Sequence, residues 1–143
     1  MNILFMTREE KDIELHVPNG KFKALGRVGE DTLSWFQGYV GGYVEVVSLG
    51  AMTGNHEFDD IDLVLHEEGK VHGLQPSLVF LTKENRVVDY IAGNAILCTT
   101  DDDGRWVGLD EDTIERLSNA MFIGQTTNGK MAVMRHMQEQ TTP

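Results

Sequence analysis

The chain has 143 residues, 12 basic and 23 acidic side chains, a formal net charge of −11 and one cysteine. Such a length fits one domain, which buries about 70% of its unfolded surface and needs no disulfide to hold its core. The acidic balance disfavours nucleic acid and anionic lipid as direct partners, because phosphate recognition depends on clustered basic side chains. The apolar neighbours of Cys98 predict a buried residue in a reducing cytosol.

The N-terminal region predicts strands rather than a targeting segment. Residues 3–6 form a short apolar run that alternates poorly. Residues 13–17 and 21–25 alternate between apolar and polar side chains around a turn at 18–20. A charge cluster follows the first few residues, with no small-residue cleavage site, and no stretch approaches the roughly 20 apolar residues that cross a bilayer. We therefore expect a cytoplasmic protein.

A helix and a central strand are predicted next. Asp31 or Thr32 has the residue type of a helix cap, and apolar side chains recur at helical spacing from Leu33 onward. Gly41 stands where a left-handed helix stop is expected, so we predict a positive φ at this glycine. The β-branched run at 43–49 then predicts a central strand.

The middle of the chain predicts a loop followed by short strands. Residues 50–60 are polar and glycine-punctuated, which favours a long loop. Further strands are predicted over residues 61–66, 71–74, 87–91 and 94–99, with hairpin turns at 67–70 and 101–104. For residues 76–81 the sequence does not distinguish a short helix from an irregular apolar segment.

The C-terminal part predicts two helices. Asp110 or Asp112 is a candidate cap for the first, whose apolar face comprises Ile114, Leu117 and Met121. In the second helix, methionines recur at helical spacing, at Met131, Met134 and Met137. We therefore predict a single α+β domain over residues 1–122, and a C-terminal extension over 123–143 that forms a short helix and a frayed tail. The predicted fold has one predominantly antiparallel sheet with helices packed on it.

No complete metal or cofactor signature occurs. The acidic loop around His56 lacks the second histidine that a helical zinc site needs. Counted from Asp101, the turn also fails the spacing of a calcium-binding EF-hand, which needs glycine at position six and glutamate at position twelve, because those positions hold Trp106 and Asp112. We predict neither a metal nor a cofactor.

Two histidines and four aromatic or basic side chains are candidate functional residues. His66 and His72 flank a predicted turn and could face each other, although surface histidines on strands explain them more simply. The other four residues are Tyr39 and Tyr43, which bracket Gly41 and Gly42, and the neighbours Arg105 and Trp106. An arginine beside a flat ring suits a planar anion, whereas core packing or self-association explains the same residues equally well. If a planar anion binds, we expect Arg105 and Trp106 to contribute most of the affinity.

Several motifs in one order give the chain a family resemblance. They are Val40-Gly41-Gly42-Tyr43-Val44-Glu45-Val46-Val47, Glu67-Glu68-Gly69-Lys70 with Gly73-Leu74, Asp89-Tyr90-Ile91-Ala92-Gly93 and Leu109-Asp110-Glu111-Asp112. Over roughly residues 1–122 the chain resembles small phage and mobile-element proteins filed as domain of unknown function number thirty-eight forty-six. This family usually has asparagine at the place of His66, and a Leu-Pro-x-Asn stretch where this chain reads Leu74-Gln75-Pro76-Ser77. We include His66 and Gln75 among the candidate ligand contacts.

The resemblance implies a phage setting but brings no activity with it. Without a catalytic set, we predict a binding protein, a homo-oligomer that sequesters a host small molecule such as a nucleotide-derived immune signal. The expected site lies at a subunit boundary near Tyr43, His66 and Trp106. Two other classes stay open: an acidic inhibitor or DNA mimic that acts on a host protein, and a small hydrolase-like enzyme that uses His66 or His72.

Overall fold

The computed structural model describes residues 1–9, 11–17, 19–26, 31–126 and 129–137. Within these ranges the strands are β1 Asn2–Phe5, β2 Lys11–His16, β3 Lys21–Gly26, β4 Val44–Ser48, β5 Asp62–His66, β6 Pro76–Leu81, β7 Val87–Ala92, β8 Ala95–Thr100, β9 Trp106–Val107, β10 Met121–Thr126 and β11 Gly129–Arg135. The helices are α1 Thr32–Val40, α2 Leu49–Thr53, a 3-10 helix His56–Phe58, and α3 Glu111–Ala120. No helix in the described part of the chain is long and apolar enough to cross a membrane.

The strands form two mixed sheets that pack as a sandwich. The larger sheet has the order β3-β2-β1-β8-β5-β4, with β9 paired to β8, and the smaller sheet has the order β10-β11-β6-β7. The pairs β1–β8 and β11–β6 are parallel. The prediction of one predominantly antiparallel sheet with helices packed on it is therefore wrong. Hairpin patterns indicate antiparallel neighbours, whereas a parallel pair needs a long crossover connection that leaves no local signal.

The central strands of the larger sheet are buried on both faces. Ile3 and Phe5 of β1 belong to the core between the two sheets, whereas Leu4 of β1 and Met6, which follows the strand, belong to a second core under α1. Because α1 covers one face and the smaller sheet the other, consecutive residues of β1 and β8 are apolar. This burial explains why the residues at 3–6 alternate poorly.

The prediction of a C-terminal helix is wrong. Residues 129–135 form β11, which pairs with β10 on one side and β6 on the other. Met131 lies opposite Gly124, and Met134 is buried opposite Met121. Pairing on both edges of β11 overrides the helical spacing of the methionines. The predicted boundary at residue 122 falls inside β10, and the predicted frayed tail at 138–143 lies outside the described residues.

Other local predictions have mixed outcomes. Helix α3 begins after Asp110, whose side chain accepts a hydrogen bond from the Thr113 N–H, so the predicted cap is confirmed. The loop predicted at 50–60 contains α2 and the 3-10 helix. The segment at 76–81, left open from the sequence, is strand β6, and the returning strand predicted at 71–74 is wrong because this segment continues a turn.

Candidate ligand-binding cleft

A compact turn at residues 67–74, here called the 67–74 turn, lies against strand β7. Its backbone is closed by hydrogen bonds from the His72 N–H to the Glu68 carbonyl (2.9 Å) and from the Leu74 N–H to the Gly69 carbonyl (3.0 Å). A Cβ on Gly69 would lie 2.6 Å from the carbonyl oxygen of Ala92. Only glycine therefore allows the two backbones to approach this closely, and the turn is held in place against β7.

A cleft of about 160 Å³ lies between the edge of the larger sheet and β7, with the 67–74 turn as one wall. We call it the turn cleft. Its lining combines apolar, aromatic and charged side chains: Glu45, Val47, Met52, Leu65, His66, Glu67, Lys70, Val71, Asp89, Tyr90, Ile91 and Ala92. It therefore draws on both sheets, and packing of the sheets fixes its shape.

The Lys70 ammonium group occupies a cation site inside this cleft. Its Nζ lies 4.6 Å from the centre of the Tyr90 ring and 2.6 Å from Oδ1 of Asp89. Partial burial acts to raise the pKa of the Asp89 carboxyl, but hydrogen bonds from Lys70 and from the Tyr90 N–H, with the charge of Lys70, outweigh it and lower that pKa. An aromatic face next to a carboxylate is an arrangement that stabilises positive charge.

Two further carboxylates, those of Glu45 and Glu67, also line the cleft. Glu45 lies opposite Leu65 in the β4–β5 ladder, and the N–H of Glu67 donates to the Tyr43 carbonyl at 2.9 Å. The two glutamates are therefore diagonal neighbours on one face, roughly 7–8 Å apart. Within the described ranges neither has an ion-pair or side-chain hydrogen-bond partner. With Asp89 balanced by Lys70, they leave the cleft with an excess of two negative charges.

The end of α1 meets the strand residue His66 at the rim of the cleft. Gly41 has φ of 86° and ψ of 20°, so the predicted positive φ is confirmed. A Cβ on Gly42 would lie 2.5 Å from Nε2 of His66, which explains the second glycine of the pair. Nδ1 of His66 accepts a hydrogen bond from the Glu68 N–H (3.0 Å), which places the proton of the neutral ring on Nε2.

The two histidines lie close together, an arrangement that the sequence left open beside the simpler interpretation as surface histidines on strands. The ring centres of His66 and His72 are 5.4 Å apart, and Nε2 of His72 lies 3.0 Å from Oε2 of Glu68. In the part of the chain that the structure describes, no hydroxyl or thiol group hydrogen-bonds to either ring. Among the described residues the pair thus has a carboxylate partner but no nucleophile hydrogen-bonded to it.

The stretch that builds this cleft carries the family relationship. The family model described as domain of unknown function (DUF3846) matches residues 11–122. The chain belongs to this family. No curated protein and no solved structure matches the chain at a significant level. All residues that line the turn cleft fall inside the matched part of this DUF3846 protein.

The structure gathers some of the predicted site residues around the cleft. His66 lines the cleft and Gly42 packs against its ring, whereas Gly41 ends α1 and Tyr43 is 75% exposed. Gln75 lies beyond the 67–74 turn, where its carbonyl accepts a hydrogen bond from the Gly93 N–H at 2.7 Å.

Tyr39 has a packing role instead. Its hydroxyl donates to Oε2 of the buried Glu14 at 2.9 Å, and its ring stacks on Trp35 at 5.5 Å. Burial, followed by the hydrogen bond and the charge of Glu14, raises the pKa of the Tyr39 hydroxyl, so this group stays protonated at neutral pH.

Arg105 and Trp106 lie at the opposite end of α1 from the cleft. Trp106 packs on Phe36 at 5.1 Å and lines surface depressions beside Thr32, the first residue of α1. A nine-residue helix is roughly 13 Å long. The sequence predicts that Trp106, Tyr43 and His66 lie together, but within this chain the helix separates Trp106 from the other two. The Arg105 guanidinium already donates to Asp101 (3.2 Å) and Asp103 (3.1 Å), which engages the donors that a planar anion would need.

Sequence reasoning missed the charged centre of the cleft. Lys70, Asp89 and Tyr90 stand in the motifs that carry the family resemblance, but their spacing along the chain does not show that the 67–74 turn folds onto β7. The available signal was that two separate motifs, at 67–70 and at 89–93, each combine a glycine with at least one charged residue.

Proposed function

We propose that this DUF3846 protein is a non-enzymatic binding protein that captures a small, positively charged ligand in the turn cleft. The observation that carries the proposal is the cation site formed by Tyr90 and Asp89, next to the carboxylates of Glu45 and Glu67, which have no ion-pair partner among the described residues. Lys70 already shows that this site accepts an ammonium group. A ligand amine or guanidinium would pair with the free carboxylates, where a charge-assisted hydrogen bond is stronger than a neutral one.

The size of the cleft limits the ligand. At about 160 Å³ it is smaller than drug-sized ligand pockets, which are roughly 300–1,000 Å³. It therefore suits a polyamine, an aminoalkyl guanidine or the charged end of a larger molecule. In a phage or mobile element such a protein would sequester a host metabolite or signal, which agrees with the setting that the family resemblance implies.

A nucleotide-derived signal stays a prediction from the sequence. Its phosphates would meet Glu45 and Glu67 in this cleft, and the excess negative charge opposes binding there. A cationic ligand agrees better with the charges that line the cleft. Homo-oligomer formation also stays a prediction.

Calorimetric titration of the full chain with agmatine and spermidine tests the proposal, with cyclic di-AMP as an anionic probe. We expect both cations to bind, and Glu45→Gln and Glu67→Gln each to weaken agmatine binding about fivefold, the effect of losing one exposed ion pair of about 1 kcal/mol. Glu57→Gln is the matched control, because it removes the same charge from the exposed 3-10 helix outside the cleft.

Two outcomes would reject the proposal. Equal weakening by Glu57→Gln and Glu45→Gln would show that the cations respond only to net charge. Binding of cyclic di-AMP without binding of either cation would place the function elsewhere and support the planar-anion site at Arg105 and Trp106.

The histidine pair supports a second candidate function, a small hydrolase-like enzyme. Glu68 bonds to His72 and His66 lies beside it, an arrangement that orients an imidazole for proton transfer. Hydrolysis of p-nitrophenyl acetate by the full chain, above the rate of free imidazole and lost in both His66→Gln and His72→Gln, would support it. A rate equal to that of free imidazole would reject it for this ester.

A further inference from the structure

An apolar groove crosses the other end of the sandwich, far along the sheets from the turn cleft. It lies between β2–β3 and α3–β10 and has a volume of about 430 Å³. Its walls are mainly aliphatic and aromatic side chains, including Ile13, Leu15, Phe22, Ile114, Met121 and Phe122. Phe22 is 56% exposed and Phe122 is 42% exposed, so two large apolar side chains on the groove face solvent. Exposed rings in an open groove are typical of anchoring sites for partner proteins.

The apolar groove continues into an acidic depression. A second hollow of about 740 Å³ shares Ile13 and Ile114 with the groove, so the two form one surface. This hollow is lined by five carboxylates, those of Glu9, Asp110, Glu111, Asp112 and Glu115, and by the basic side chains of Arg8 and Lys11.

Ion pairs neutralise only part of that acidic end. Arg8 lies 4.0 Å from Asp110, and Arg116 lies 3.4 Å from Asp112. Glu111 and Glu115, one helical turn apart, have no ion-pair partner among the residues described. The groove therefore has an apolar half and an excess of negative charge at its other half.

We propose that this groove binds an amphipathic, basic helix of a partner protein. An apolar stripe on such a helix would cover Phe22, Ile114 and Phe122, and lysine or arginine side chains at one end would pair with Glu111 and Glu115. A helix lying in a groove presents side chains at i, i+3, i+4 and i+7, and an apolar stripe at this spacing matches the apolar half of the surface.

Charge also distinguishes this occupant from a second copy of the chain. Each copy carries a net charge of −11, so two copies repel each other at long range. In a symmetric dimer through the groove, the acidic part of one copy would approach a second negatively charged copy. A basic partner, by contrast, is attracted to the same surface. The site is separate from the turn cleft and does not depend on the function proposed there.

The test uses the full chain and an 18-residue peptide of leucine and lysine in which leucine recurs at i, i+3, i+4 and i+7. Two control peptides have the same composition with strictly alternating leucine and lysine, or the helical pattern with glutamate in place of lysine. We expect the helical basic peptide to bind, and both controls to bind at least tenfold more weakly. Phe22→Ser and Phe122→Ser should each weaken binding about tenfold, and the double variant Glu111→Gln, Glu115→Gln should weaken it several-fold and flatten its dependence on salt.

Val87→Ser is the matched control variant, because Val87 is 63% exposed on β7, at the edge of the smaller sheet opposite to β10. Equal binding of the alternating and helical basic peptides, or unchanged binding in both phenylalanine variants, would overturn the proposal. A dimer in light scattering that dissociates in Phe122→Ser would also overturn it and assign the groove to a second copy. Because Phe22 and Phe122 lie on different strands, one variant still decides the question if the other fails to fold.

Discussion

The two ends of the sandwich differ in whether a turn covers the edge of a sheet. At the cleft end, the 67–74 turn covers the edge of β7, with the backbones of Gly69 and Ala92 in close approach, whereas the outer edge of β4 has no strand partner in the described ranges. At the groove end, β3 and β10 are edge strands, and within the described ranges no other strand pairs with their outer edges. Substitutions at the cleft end should therefore cost folding free energy, whereas substitutions at the groove end should mainly change what the protein binds.

The two ends also differ in their charged side chains. The cleft contains the ion pair of Lys70 with Asp89 and, in addition, the carboxylates of Glu45 and Glu67. The edge at the groove end carries Lys21 and Lys23 on β3, and charged side chains on an edge strand discourage pairing with other chains. An edge protected by charge stays open to a specific partner, whereas an edge covered by a turn does not.

The largest effect is expected from Gly69→Ala at the cleft end. The added Cβ would lie 2.6 Å from the Ala92 carbonyl oxygen, and backbone atoms must move to relieve the clash. We expect a loss of about 2–3 kcal/mol in the free energy of unfolding, measured by urea denaturation.

Gly38→Ala is the control for this loss. Gly38 lies in α1 with nothing within 4 Å of an added Cβ, so alanine there should stabilise the chain by about 0.5–1 kcal/mol. If Gly69→Ala is as stable as the wild type, the turn does not pack on β7 as described.

A smaller loss is expected from Gly41→Val at the end of α1. A β-branched side chain is excluded at φ of 86°, and we expect a cost of about 1–2 kcal/mol. Asparagine tolerates the left-handed region, so Gly41→Asn should cost less than valine in the same denaturation experiment. Equal losses for the two variants would contradict a backbone origin.

Phe122→Ser at the groove end should cost less than about 1 kcal/mol, although it removes a large ring. Phe122 is 42% exposed, and the Arg135 guanidinium lies 5.2 Å from its ring centre, a contact of about 0.5–1 kcal/mol. A loss above 2 kcal/mol in thermal or urea unfolding would show that this ring belongs to the core and would remove the contrast between the two ends.

Local features of the fold could be predicted from the sequence. The Asp110 cap, the left-handed Gly41 and the pairing of β2 with β3 depend on residues close together in the chain, where alternation and capping chemistry leave a readable pattern. The histidines face each other for another reason than the hairpin that the sequence suggested, because His72 lies in the 67–74 turn and not on a returning strand.

The long-range pairings could not be predicted. Strand β8 joins β1 in parallel, and β11 joins β6 in parallel, and neither partner has a local signal for the other. The site depends on such a long-range contact, since Lys70 reaches Asp89 and Tyr90 because the 67–74 turn lies against β7. Arg105 and Trp106 are neighbours in sequence and suit a planar anion, so the sequence predicts a site that they share with Tyr43 and His66. In the structure the length of α1 separates them from those two residues.

The smallest effect concerns the pH dependence of the Lys70–Asp89 pair. The pKa of the folded-state carboxyl lies below the ordinary value of 3.8, so the pair stabilises the folded protein fully above pH 3.8 and loses its contribution as the pH falls from there through the folded-state pKa. The Asp89 side chain is 40% exposed, and solvent screening limits the gain to about 0.5 kcal/mol. Asp89→Asn should therefore be less stable than the wild type by about that amount at pH 7, with the difference vanishing in strong acid. Asp102→Asn, which removes a carboxylate from the turn at 101–104, is the control and should match the wild type at pH 7. A difference that persists unchanged at pH 2 would show that Asp89 acts through packing rather than through its charge.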